Sequence, residues 1–123
     1  MKIIIVGCGK IGETLLQNLE AEGHDITVVD RNQKVINEVS NIYDVMCVCG
    51  NGVDNDTLNE AEVSKADLLI SVTDSDEINM LICFIAKKMG ASYTVARVRN
   101  PEFNDKRMGQ VKQYLDLSLT INP

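Results

Sequence analysis

Near the start of the chain an unbroken apolar run, Ile3-Ile4-Ile5-Val6, passes directly into Gly7-Cys8-Gly9-Lys10-Ile11-Gly12. This junction constrains the fold more than any other feature. A strand can be continuously β-branched only when both of its faces are buried, which requires a parallel sheet covered by helices. The glycines then end the strand over Lys2 to Val6. Ile11, Leu15, Leu16 and Leu19 recur at helical spacing up to about Glu22, and Gly23 follows, where a helix end favours a left-handed residue.

The same alternation continues along the chain. Strand-like runs are read at Ile26 to Val29, Val45 to Val48, Leu68 to Val72, Thr94 to Val98 and Leu117 to Ile121. Between them lie a helix capped by Asn32 and carrying Val35, Ile36 and Val39, a short helix around Asp56 to Ala61, and a long helix ending near Gly90. Asp74-x-x-Glu77 is a candidate capping box for the long helix. Asn100-Pro101 predicts a further helix toward Gly109. The expected fold is α/β, a Rossmann-type doubly wound parallel sheet of six strands with helices on both faces. At 123 residues the chain holds one such domain. It ends on a strand followed by Asn122-Pro123, which reads as the first domain of something longer.

G-x-G-x-x-G alone is a weak signal, but here it follows a buried strand, opens a helix, and is succeeded 18 residues after Gly12 by Asp30 at the end of the next strand. That spacing is the dinucleotide fingerprint. Gly7 permits the tight turn, Gly9 lets a pyrophosphate approach the backbone, and Gly12 lets the helix lie close to the sheet. Lys10, Ile11 and Gly12 open the helix, whose free N–H groups and partial positive charge favour phosphate. Asp30 can accept hydrogen bonds from a ribose diol, and its charge repels a 2′-phosphate, so NAD(H) is favoured over NADP; the neighbouring Arg31 works against that exclusion.

Ligands of such sheets lie beyond the carboxyl ends of the strands. The residues falling there are Asn51, Gly52 and Val53, then Thr73 and Asp74, then Arg97, Arg99 and Asn100. Arg97 and Arg99, two apart, are expected on one face, where they either pair with a phosphate or form ion pairs with Asp74 or Glu77. Cys8 sits inside the glycine loop and reads as a small residue there rather than as a reactive thiol.

Composition excludes several alternatives. A net charge of −6 argues against nucleic-acid binding. No apolar run approaches the roughly 20 residues of a membrane span, and no secretion signal precedes the first strand, so a soluble, intracellular protein without membrane insertion is expected. Four cysteines in apolar segments then read as reduced thiols, and a single histidine, His24, gives no metal-binding set. There is no Tyr-x-x-x-Lys and no Gly-x-Ser-x-Gly, so binding without catalysis is the simpler account. The competing readings are the cofactor domain of a truncated NAD-dependent dehydrogenase and, behind it, a redox sensor using Cys8, Cys47 or Cys49. The helix from Ile78 to Met89 carries Ile78, Met80, Leu81, Ile82, Phe84 and Ile85, more than one sheet-facing stripe needs, which points to a second subunit as its cover.

Met1 to Gly12 (MKIIIVGCGKIG), Asp25 to Asp30 (DITVVD), Ala66 to Met80 (ADLLISVTDSDEINM) and Ala96 to Glu102 (ARVRNPE) together resemble the TrkA N-terminal, or KTN, domain of potassium-uptake regulators, related to the RCK domains of potassium channels. The resemblance implies a cytoplasmic regulatory module that binds NAD(H), in some relatives ATP or ADP. It implies a homo-oligomer working beneath a membrane potassium transporter as a ligand-gated switch. It also implies site roles: the glycine loop at the pyrophosphate, Asp30 at the adenosine ribose, Thr73 and Asp74 lining the crevice, and Arg97 near phosphate. Gly50-Asn51 departs from the family's frequent Gly followed by Asp. The family continues into a smaller ligand-sensing domain, and Ile121-Asn122-Pro123 resembles the boundary before it.

Overall fold

The computed structural model describes residues 1–100 and the backbone of residues 119–121. Strands β1 (Lys2–Val6), β2 (Asp25–Asp30), β3 (Met46–Cys49), β4 (Leu68–Ser71) and β5 (Tyr93–Arg97) alternate with helices α1 (Lys10–Ala21), α2 (Gln33–Ile42), α3 (Asn55–Glu60) and α4 (Asp76–Met89). A short outermost strand, β6 (Leu119–Ile121), lies parallel along β5. The sheet order is β3-β2-β1-β4-β5-β6, and every pairing is parallel. The helix read from Pro101 toward Gly109 lies outside the described residues.

The register follows from the apolar pattern. Val6 is paired with Val29 on one side and Ser71 on the other, so β1, β2 and β4 finish level at one edge of the sheet. Ile4, Val6, Val29 and Leu69 face one apolar layer, completed by Leu58, Val63, Ile82 and Cys83. Ile3, Ile5, Val28 and Ile70 face the other, completed by Cys8, Leu16, Ile36 and Tyr43. Burial on both faces is what the unbroken Ile-Ile-Ile-Val run requires.

The helix boundaries depend on local chemistry. Asn32 caps α2 by accepting the Lys34 N–H at 3.0 Å, as its position predicts. Asp54 caps α3 in the same way through the Asp56 N–H. Helix α4 differs from expectation: its cap is Ser75, whose hydroxyl accepts the Ile78 N–H, while Asp74 lies outside the helix. Gly90, at φ +118°, closes α4, and Gly23, at φ +83°, follows α1. A 3-10 turn at Val63–Lys65, entered through Glu62 at φ +61°, was not foreseen.

The apolar excess of α4 divides between two surfaces. Met80 and Ile82 belong to the domain's own core, whereas Ile78 and Leu81 remain 37% and 42% exposed, with Phe84 and Ile85 half-buried beside them. Met80 is therefore unavailable to a second subunit. Among the described residues, no helix is long and apolar enough to cross a membrane.

Candidate functional site

At the carboxyl edge, β1 ends between β2 and β4, whose following helices lie on opposite faces of the sheet. A crevice of about 620 Å³ opens there, within the size range of small-molecule sites. Gly7, Gly9, Lys10 and Ile11 line its centre, Asp30 and Arg31 one half, and Thr73, Asp74 and Arg97 the other, with Asn51 and Gly52 bordering it from the β3–α3 loop. Eleven of the residues singled out from the sequence thus converge on one cavity. Val53, Arg99 and Asn100 do not line it, nor do Cys8 and Gly12 of the glycine loop. The Cys8 side chain turns into the core, and Gly12 is buried where α1 meets the loop.

The glycines divide into two physical groups. Gly7 stands at φ +90°, a backbone conformation that other residues rarely adopt, and a side chain on Gly12 would collide with the Gly7 carbonyl oxygen. The folded chain itself requires both. Gly9 has an ordinary φ of −76°, and a Cβ there would meet no protein atom within 4 Å. Nothing among the described residues demands glycine at that point; an anionic group lying over the loop would. Gly9 is also the N-cap of α1 and offers no side chain to the first helical N–H groups, which leaves them for an external acceptor.

Asp30 accepts the Cys8 N–H at 2.8 Å and the Asn32 N–H at 2.9 Å, one on each carboxylate oxygen. Each oxygen retains acceptor capacity toward the crevice. Arg97 lines the opposite half, and its Nε is buried without a hydrogen-bond partner. An unsatisfied buried guanidinium nitrogen is costly, and an anion in the crevice would relieve it. The glycine cradle, the open helix end and Arg97 therefore fit a nucleotide diphosphate.

The two arginines separate. Arg99 reaches the Asp74 carbonyl oxygen with its guanidinium and lies 4.0 Å from the Asp76 carboxylate. The ion-pair partner is thus Asp76, in place of the Asp74 or Glu77 side chains anticipated from the sequence. Asp76 also accepts the N–H groups of Arg99 and Asn100 at 2.9 and 2.8 Å. Desolvation pushes its pKa up, but these two hydrogen bonds and the Arg99 and Arg97 charges outweigh it and hold the carboxyl below its ordinary value.

Sequence reasoning also passed over Asn79. It is wholly buried, and its amide makes five hydrogen bonds to Ser71, Thr73 and Arg97. A signal was present, because Asn79 shares the core-facing stripe with Ile82, Cys83 and Ala86, where a polar residue must find internal partners.

The thiols are free and differ in setting. Burial, and then the charges of Asp30 and Glu13, push Cys8 up to about 11; burial raises Cys83 to about 12. Cys49 is exposed on the edge strand. His24 lies in the turn after α1, 3.1 Å from the Glu22 carboxylate and away from the crevice.

The TrkA-N domain model matches residues 3–112. The Trk system potassium uptake protein TrkA of Vibrio alginolyticus is 43% identical over 104 residues, covering 84% of this chain and 23% of that protein. The TrkA homolog of Methanothermobacter thermautotrophicus is 34% identical over 111 residues, covering 89% of this chain and 51% of that protein. The chain spans about a quarter and about half of these relatives, respectively. Among solved structures, the TrkA-N domain of inner membrane protein ybaL from Escherichia coli superposes with a TM-score of 0.86 at 17% identity, over 98% of this chain and 86% of that one. The GsuK channel bound to NAD gives a TM-score of 0.81 at 22% identity, over 98% of this chain and 21% of that one. GsuK has also been solved bound to ADP, with the same TM-score and identity and 31% of that chain covered. These structural likenesses establish a shared fold.

Proposed function

Because the chain belongs to the TrkA-N domain family, we propose that it is an NAD(H)-binding regulatory domain of a potassium transport system. The observation that carries this reading is the open space at Gly9, a glycine that the folded chain does not itself need, above a helix end without a side-chain cap. The pyrophosphate would lie over Gly7, Gly9, Lys10 and Ile11, with Cys8 contributing backbone only and Gly12 allowing the helix to approach. Asp30 would hold the adenosine ribose diol beside Arg31. Asn51, Gly52, Thr73 and Asp74 would line the crevice, with Arg97 facing a phosphate.

The domain would act without turnover. Among the described residues the crevice lining holds no histidine, tyrosine or cysteine, and nucleotide affinity itself would be the output. A ligand that favours one arrangement of paired domains over another biases that arrangement, and a membrane potassium transporter reads it. On this reading the protein works in a homo-oligomer on the cytoplasmic side of the membrane.

Calorimetric titration with NAD, NADH, NADP, ATP and ADP, repeated on Asp30→Ala, tests the assignment. Binding of NAD(H) that is lost with Asp30, with NADP excluded, is the expected result. A preference for ATP or ADP keeps the regulator but makes it a sensor of energy state, a reading favoured by the ADP complex of GsuK. Absence of any binding overturns both. Turnover of a hydroxy acid with NAD would support the dehydrogenase alternative.

A further inference from the structure

Resting on the nucleotide reading, the geometry points to Asn79 as the positioning residue that fixes the β4–β5 half of the crevice and thereby selects dinucleotides over mononucleotides. Its Oδ1 accepts the Thr73 N–H at 2.8 Å, the Thr73 hydroxyl at 2.6 Å and the Ser71 hydroxyl at 3.0 Å. Its Nδ2 donates to the Thr73 carbonyl at 3.1 Å and to the Arg97 carbonyl at 2.9 Å. One planar amide therefore sets the separation between the ends of β4 and β5. Thr73 and Arg97 are two of the residues lining this half.

Asn79 does not line the crevice and is wholly buried, so it acts only through the groups it holds. Asp76, one turn earlier on α4, fixes the next stretch of chain through the N–H groups of Arg99 and Asn100. The chain is thus held from α4 at the Arg97 carbonyl and again two and three residues beyond it. The other half of the crevice, around Asp30 and Arg31, has no hydrogen bond to Asn79. A mononucleotide occupies the glycine loop and that half; a dinucleotide must also fill the half that Asn79 sets.

Asn79→Asp keeps the shape and the acceptor but removes both donors, freeing the Thr73 and Arg97 carbonyls and placing a carboxylate beside them. The titrants are NAD and AMP, measured against the unsubstituted protein. NAD binding is expected to weaken roughly ten- to a hundredfold, the range of one misplaced charge-assisted contact, while AMP binding stays unchanged. Equal loss of both ligands, in step with a lowered melting temperature, assigns Asn79 a merely structural role and overturns the proposal, as does retention of both. An unsubstituted protein that binds neither ligand removes the nucleotide reading itself. If the variant does not fold, the wild-type Asn79 side-chain amide resonances supply the test. They should shift with NAD and stay in place with AMP; equal shifts, or none with NAD, overturn the proposal.

Discussion

The backbone N–H of Cys8 donates to the Asp30 carboxylate across 2.8 Å, tying the glycine loop to the end of the neighbouring strand. The carboxylate that would face a ribose also holds the glycine loop in shape. Asp30→Ala should therefore lower stability by roughly 1–3 kcal/mol, chiefly the cost of leaving the partly buried Cys8 N–H unpaired, as well as abolish nucleotide binding. Urea denaturation of the ligand-free variant checks the first effect. An unchanged midpoint would show that the Cys8 and Asn32 bonds contribute nothing.

Gly9→Ala and Gly12→Ala should behave oppositely. The first places a methyl group in open space and should leave the melting temperature near that of the wild type while blocking nucleotide binding. The second drives Cβ into the Gly7 carbonyl and should cost about 1–3 kcal/mol. Calorimetric binding and thermal melting of both variants separate a glycine needed by the ligand from one needed by the fold.

Asp76 gives the fold an acid sensitivity with a defined sign. Its pKa in the folded chain is below the ordinary 3.8, so its contribution is fully present above that value. It is lost as pH falls from 3.8 through the lower folded value. Asp76→Asn should be less stable than wild type at neutral pH, and the gap should close below pH 3.8. Denaturant titrations across pH 3 to 7 would show this; a gap independent of pH would count against the charged hydrogen bonds to Arg99 and Asn100.

Alkylation should rank the thiols by exposure. At pH 8, iodoacetamide should label Cys49 first and leave Cys8 and Cys83 until the chain unfolds, since burial keeps both protonated. Linkage adds an alkaline counterpart. The stability supplied by protonated Cys8 is complete below the ordinary 9.0 and is lost as pH rises toward about 11. Selective labelling of Cys8 in the native protein, read by mass spectrometry, would revive the redox-sensor alternative.

On the outward face of α4, Leu81→Asp should leave the stability within about 0.5 kcal/mol of wild type, as exposed substitutions do, whereas Met80→Asp should be strongly destabilising because Met80 lies in the core. If the domain pairs through this helix, Leu81→Asp is the variant whose sedimentation shifts toward monomer. Unaltered assembly would direct attention to another face.

The fold was legible where a residue's role follows from sequence spacing. Ile3 to Val6, the three glycines and Asp30 lie in a single β-α-β stretch, so their relation can be read directly from the chain. The roles of Asp76 and Asn79 could not be read this way, because their partners Arg97, Arg99 and Asn100 are brought to them by strand pairing. Local chemistry also misled at Asp74-x-x-Glu77, where two acids at capping-box spacing hid the serine between them that makes the cap. Cys8 was placed correctly in the loop, but the direction of its side chain depends on the turn at Gly7, which spacing does not encode.

Strand β1 lies at the centre of the sheet, yet Ile3 finds its second neighbour only in Leu68. During synthesis, β1 must wait with one edge unpaired until β4 has emerged. Long-range parallel pairing of this kind is slow and leaves exposed edges open to misassociation. The far wall of the crevice, Thr73 and Arg97, emerges later still, so a ligand spanning the whole site could steady the domain only once Arg97 has been made.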